Sequence, residues 1–196
     1  VHSLLPKDFP HPVASFDLDA EISFIAEKAK LGKLAAVGEC GLDGHWLKEE
    51  TFKLQEEVFE RLIVIAKTYD IPVIIHSRKL EQRTIDVLKN HRPSKVIFHC
   101  FGGRSKLALK TAEEENWSFS IPANAQRNEA FKKMLKILPL DCLLTETDAP
   151  YLSPIRNTRN TPESVIETIK LLANLRGFSN EEAKDQVWQN YSKLFK

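Results

Sequence analysis

Short apolar, β-branched runs alternate with longer amphipathic segments along this chain. The runs at 34–37, 72–75, 95–98, 117–121 and 142–145 show no clean polar/apolar alternation. That is the mark of strands buried on both faces. Between them lie helical patterns. Val58, Leu62, Ile65, Ala66 and Tyr69 fall on one stripe, and Val165, Ile169, Leu172 and Ala173 on another; both have helical spacing. A further helix is expected over 20–31. Thr161 and Pro162 read as the N-cap and first turn of the helix that Gly177 stops, and Ser179-x-x-Glu182 reads as a capping box for a last helix reaching Leu194. Strand, helix, strand, helix implies parallel strands with covering helices. The 196 residues form one expected domain, with no low-complexity tract, linker or short repeat. The loop 153–160 carries the weakest structural signal.

Four of the five runs lead into a side chain that binds metals. Leu-Ala-Ala-Val-Gly precedes Glu39, Pro-Val-Ile-Ile precedes His76, Lys-Val-Ile-Phe precedes His99, and Leu-Leu-Thr-Glu-Thr precedes Asp148. In a parallel α/β fold the strand C-termini share one rim, where active sites sit. Two carboxylates and two imidazoles suit a divalent ion such as Zn²⁺, Mg²⁺ or Mn²⁺, or two ions bridged by Glu39 or a water. Such an ion brings the pKa of its water toward about 7, and Asp148 is the carboxylate expected to take the proton. Any one of these residues alone would read as a packed histidine or a turn acid; the conjunction carries the chemistry. Cys40 and Cys100 each follow a proposed ligand, so their side chains should point away from it and pack.

Composition removes several classes. A formal charge of +1 with 28% charged residues excludes a polycation that grips nucleic acid by bulk electrostatics, so any such attraction is local. Arg78, Arg104, Arg156 and Arg159 follow strand ends and could supply it, because arginine binds phosphate in a bidentate fork. No apolar stretch is long enough for a membrane span. Three cysteines without a Cys-x-x-Cys pair make a cytoplasmic, reducing location the default.

Gly38-Glu39-Cys40-Gly41-Leu42-Asp43, His76-Ser77-Arg78, His99-Cys100-Phe101-x-Gly103 and Glu146-Thr147-Asp148-Ala149-Pro150-Tyr151-Leu152 occur in that order. With Arg159-Asn160-x-Pro162 and the closing Gln189-Asn190-x-x-x-Leu194-Phe195, they resemble the signatures of the TatD-like metal-dependent deoxyribonucleases. The resemblance implies a (β/α)8 TIM-type barrel that hydrolyses DNA phosphodiester bonds with one or two divalent metal ions. It implies Glu39, His76, His99 and Asp148 as metal ligands, and Asp148 and Glu39 as catalytic residues. DNA, single-stranded or at an end, is the implied partner. Arg78 and Arg159 are expected to contact it, as is His2, whose Val1-His2-Ser3 setting resembles the remainder of a Gly-x-His-Pro motif.

A whole barrel of this type takes about 250 residues. The resemblance therefore implies an incomplete barrel here, with the first two strands and most of the third upstream of Val1. The His-x-His pair of many family members is missing from this sequence. Two other readings use the same residues. One is a hydrolase of the same superfamily acting on an amide, lactone or phosphoester. The other is an inactive truncated homologue that serves as a binding protein.

Overall fold

The computed structural model describes residues 17–195. His2 and the Val1 remnant lie outside that range. Five strands follow chain order in one sheet, β1-β2-β3-β4-β5, and the α/β alternation expected from the sequence is present. The described residues form two compact units, divided between Val96 and Ile97.

In the first unit, helix α1 (Leu18–Lys30) begins where the Asp17 carboxylate accepts from the backbone N–H groups of Asp19 and Ala20, at 2.9 and 3.1 Å. Strand β1 (Val37–Asp43), helix α2 (Phe52–Thr68), strand β2 (Val73–Arg78) and helix α3 (Glu81–His91) follow. The buried face of α2 is Phe59, Leu62, Ile63, Ile65 and Ala66, one stripe at helical spacing that covers β1. Tyr69, expected on that stripe, is the helix C-cap and is exposed.

β1 and β2 pair in parallel, with Gly41 opposite His76, Leu42 opposite Ser77 and Asp43 opposite Arg78. Both strands differ from the expected runs. β1 starts at Val37, where the apolar run 34–37 ends, and β2 continues through His76 to Arg78. The cause is local. Gly41 does not read as a strand residue, yet the backbone ladder takes it in and extends to Gly44, whose N–H donates to the Arg78 carbonyl at 2.8 Å. The ladder is irregular between Val37 and Cys40, a bulge that re-aims the side chains it carries.

The second unit contains β3 (Val96–Phe98, which begins at the boundary), α4 (Ser105–Glu115), β4 (Ser118–Ile121), α5 (Glu129–Ile137), β5 (Leu143–Thr145), α6 (Val165–Arg176) and α7 (Asn180–Leu194). β3 with β4 and β4 with β5 are parallel; Phe98 lies opposite Phe119, and Ile121 opposite Thr145. Every residue of β3 and β4 is buried, which explains their lack of alternation. The Phe98 and Phe119 rings stack at 5.1 Å, and Phe101 meets both edge-on at 5.3 Å. These aromatic contacts fix the backbone on either side of His99.

Two helices tie down the strand ends through side chains. Thr168 of α6 donates to the Pro122 carbonyl at 3.0 Å. Buried Asn190 of α7 donates to the carbonyls of Leu140 and Leu143 at 2.6 and 2.8 Å. Thr161 does not cap α6 with its side chain. A short 3-10 turn at Pro162–Ser164 leads into that helix instead, and Gly177 closes it at φ 74°. The capping box of α7 is complete: Ser179 Oγ accepts from the Glu182 N–H at 3.2 Å, and Glu182 accepts from the Ser179 N–H at 2.8 Å. Ser179→Ala therefore costs about 1 kcal/mol, seen as a fall in Tm of about 2–4 °C for a chain of this length. An unchanged melting curve would show that the box contributes nothing.

Candidate functional site

In the first unit the chemistry gathers where β1 and β2 end. Exposed Glu39 sits in the β1 bulge, and Asp43 ends the same strand. With His76 of β2 they line a cavity of about 420 Å³ whose apolar wall includes Leu54, Val58 and Phe59. Asp43 Oδ2 lies 2.9 Å from His76 Nε2. Its other oxygen accepts from the backbone N–H groups of His45 and Trp46 at 2.7 and 2.8 Å. Gln55 bridges the backbone of Asp43, accepting from its N–H at 2.7 Å and donating to its carbonyl at 3.1 Å. Burial pushes the Asp43 carboxyl up, but the hydrogen bonds from His76, Trp46 and His45 outweigh it and hold the group below its ordinary value. A charged, fixed carboxylate at Nε2 makes that nitrogen the protonated one and leaves Nδ1 as the ring's lone-pair donor.

The second unit repeats the device. His99 directly follows β3, and its Nδ1 lies 2.7 Å from Glu146 Oε2. Ser120 of β4 donates to the same carboxylate oxygen. Burial raises the Glu146 pKa above its ordinary value, against the lowering effect of His99 and Ser120, and the Asp148 charge adds to the rise. Glu146 Oε1 is buried with no hydrogen-bond partner. Asp148 follows β5 in the left-handed region at φ 57°, with Oδ1 3.8 Å from His99 Nε2. That is too long for a hydrogen bond.

The expected ligands thus appear as pairs: Glu39 and His76 around one cavity, and His99 beside Asp148. Among the described residues, no three His, Cys, Asp or Glu side chains stand in a ready-made metal cluster. The donor set nevertheless fits a divalent cation. Each imidazole has one nitrogen held by a carboxylate, as in metal-binding histidines, and Glu146 Oε1 is a buried acceptor with its partner still to come. Arg78 is exposed at the end of β2, with its guanidinium 5.6 Å from the Trp46 ring centroid. Arg159 is exposed in the loop after β5. Cys40 is buried, and its thiol is pushed up to about 12 by burial and by the Glu39 charge. It is a packed thiol at neutral pH, as expected.

Sequence reasoning missed the roles of Asp43 and Glu146. Each is a carboxylate inside a motif that also holds a ligand candidate, Glu39-Cys40-Gly41-Leu42-Asp43 and Glu146-Thr147-Asp148. A second acid at such spacing is the signal that could have exposed them.

The profile of the family described as TatD related DNase matches residues 9–196. The chain belongs to the TatD-related DNase family. It is 36% identical over 164 residues to the uncharacterized metal-dependent hydrolase MJ1582 of Methanocaldococcus jannaschii, covering 84% of this chain and 64% of that protein. It is 35% identical over 194 residues to deoxyribonuclease TATDN3 of Homo sapiens, covering 97% of this chain and 70% of that one. The crystal structure of YJJV, a TatD homologue from Escherichia coli K12, superimposes with a TM-score of 0.80 at 26% identity, over 90% of this chain and 70% of that one. The chain therefore spans about two thirds of the length of these relatives. Among the described residues, no helix of this TatD-family chain is long and apolar enough to cross a membrane.

Proposed function

We propose that this protein is a divalent-metal-dependent phosphodiesterase acting on DNA, with Glu39, His76, His99 and Asp148 as its metal ligands. The observation that carries the reading is the matched pair of carboxylate-held imidazoles, His76 on Asp43 at 2.9 Å and His99 on Glu146 at 2.7 Å. A carboxylate behind an imidazole fixes its tautomer and raises its basicity toward a metal. The names of the relatives, a metal-dependent hydrolase and a deoxyribonuclease, support the same class. The sheet is read with them as part of a TIM-type barrel forming one domain over 1–196.

When bound, a divalent ion of the Mg²⁺, Mn²⁺ or Zn²⁺ type supplies an acidified water and polarises the phosphodiester. The chain's own residues do the rest. Asp148 accepts the proton of the attacking water, with Glu39 as the second carboxylate. Asp43 and Glu146 keep Nδ1 of His76 and Nε2 of His99 as lone-pair donors. Arg78 holds a phosphate oxyanion, its guanidinium positioned by the Trp46 ring.

The reading is tested by stripping the purified chain with EDTA, restoring Mg²⁺, Mn²⁺ or Zn²⁺, and measuring metal content together with cleavage of labelled single-stranded DNA, small amides and lactones. Metal-dependent DNA cleavage is expected. Absence of DNA cleavage with every ion would overturn it. Asp43→Asn provides a second check, because the amide cannot charge and no longer commits Nε2 to the proton. Metal affinity should fall about 10- to 100-fold with little change in Tm. Retention of full affinity would make Asp43 a structural residue only.

A further inference from the structure

We infer that the cavity between the turn after β4 and the loop after β5 is a phosphate subsite for an oligonucleotide, with Arg127 and Arg156 as its cations. This inference rests on the nucleic-acid reading above and adds to it a residue set that lies apart from the ligand motifs.

The cavity measures about 420 Å³, and its lining includes Asn124, Arg127, Ser153, Arg156, Asn157 and Thr158. Every chain segment in it belongs to the second unit and follows the C-terminus of a strand: the 3-10 turn Ala123–Arg127 after β4, and the segment from Leu152 to Thr158 after β5. Several exposed cations on this chain meet a carboxylate. Arg61 pairs with Asp19, Arg83 with Glu56 and Lys170 with Glu167. Among the described residues neither Arg127 nor Arg156 does so. Within the described residues Arg127 donates only to the Ser153 carbonyl, and Arg156 makes no hydrogen bond or ion pair. Two guanidinium groups without counter-charges, facing one concave space, suit an oxyanion with several acceptor oxygens.

A second observation points to a ligand. The side-chain oxygen of Asn124 is buried with no hydrogen-bond partner, which costs about 1–3 kcal/mol in a site that stays unsatisfied. The same side chain belongs to the lining of the cavity that holds the two arginines.

The loop is also built to hold its shape. The sequence marks 153–160 as its weakest segment, but side chains order it. Ser153 and Thr158 hydroxyls meet at 2.7 Å, the Ile155 N–H donates to Ser153 Oγ at 3.2 Å, and Thr158 Oγ1 donates to the Ile155 carbonyl at 2.9 Å. Buried Asn160 donates to the Thr147 carbonyl at 2.7 Å, tying the loop's end to the neighbour of Asp148. A preorganised loop loses little entropy on binding, and this one links the subsite to a candidate ligand. Arg156, rather than Arg159, is the loop arginine that lines the cavity.

The test uses the full chain in EDTA, where no cleavage occurs, with a fluorescein-labelled single strand of about 12 nucleotides titrated at several salt concentrations. Arg156→Ala should weaken binding about three- to tenfold at low salt. It should also make the slope of log K against log [salt] shallower by about 0.7, the value for one lost phosphate contact on a single strand. Arg156→Lys keeps the charge and should keep the slope. An Arg156→Ala protein that melts normally and binds with unchanged affinity and slope overturns the subsite. A 5′-phosphorylated strand preferred over its 5′-hydroxyl form, with the preference lost in Arg156→Ala, assigns the site to a terminal phosphate. Equal binding of the two forms by wild type, weakened alike in Arg156→Ala, assigns it to an internal phosphodiester. Cleavage is measured separately in restored metal. DNA cleavage with no effect of Arg156→Ala on binding removes the subsite and leaves the proposed reaction. Loss of binding in Arg156→Ala without cleavage by the wild type removes the reaction and leaves an anion site.

Discussion

Asp148→Asn should yield a folded protein whose DNA turnover is lower by about 10²–10⁴-fold, the range for a lost general base. The fold should survive because of where Asp148 sits. Its φ of 57° lies in the left-handed region that Asp and Asn enter more readily than other side-chain-bearing residues. The turn it begins is held by backbone, with the Tyr151 N–H donating to the Asp148 carbonyl at 2.8 Å. An asparagine keeps both features. It cannot accept a proton from water, and it brings no negative charge to a cation. The loss should therefore appear in kcat and in metal content while the thermal melt stays within about 2 °C of wild type, a shift of less than about 1 kcal/mol for this length. Activity within tenfold of wild type would remove Asp148 from the chemistry. An unfolded variant would show that the turn needs the carboxylate itself.

How much of this was legible beforehand depended on what kind of force shapes each element. β3, β4 and β5 were located to within a few residues, since each is a buried apolar run whose burial is written in its composition. The same signal failed at β1 and the end of β2. There the strand is held by backbone pairing of Gly41 with His76 and of Asp43 with Arg78, and a ladder hydrogen bond leaves no trace in side-chain hydropathy. The helix stops at Gly177 and the capping box at Ser179 were readable because both are local. The site shows the same division. Glu39, His76, His99 and Asp148 could be singled out because each stands in a strand-end motif. The carboxylates behind the histidines could not, because Asp43 meets His76 and Glu146 meets His99 only across 33 and 47 residues of sequence. The Arg127–Arg156 cavity was invisible for a similar reason. Its loop is ordered by Ser, Thr and Asn side chains bonding to nearby backbone, and such residues read as turn formers wherever they occur.

Gly41→Ala should be the most destabilising single methyl on the β1–β2 pair. A Cβ built at Gly41 would lie 2.0 Å from the backbone oxygen of His76 and 3.0 Å from its carbonyl carbon. Real Cβ atoms do not approach oxygen so closely, and the obstacle is backbone that cannot rotate away. The φ of 146° at Gly41 adds a conformation that L-residues avoid. Relieving the overlap means parting β1 from β2 at the Gly41–His76 register position, so the cost falls on the ladder and on the imbedded Leu42 and Ile75 together. A loss of about 4 kcal/mol or more belongs to this class of change, which is a large share of the roughly 5–15 kcal/mol that a domain has. At about 2–4 °C per kcal/mol, Tm should drop by about 8–16 °C or the protein should fail to accumulate in soluble form. Gly32→Ala is the control. It also has a positive φ, 64°, but nothing lies within 4 Å of its Cβ, so it should cost only about 1 kcal/mol. If the two variants melt together, the close approach of β1 to His76 is not what positions this histidine, and the pairing with Asp43 must carry that role alone.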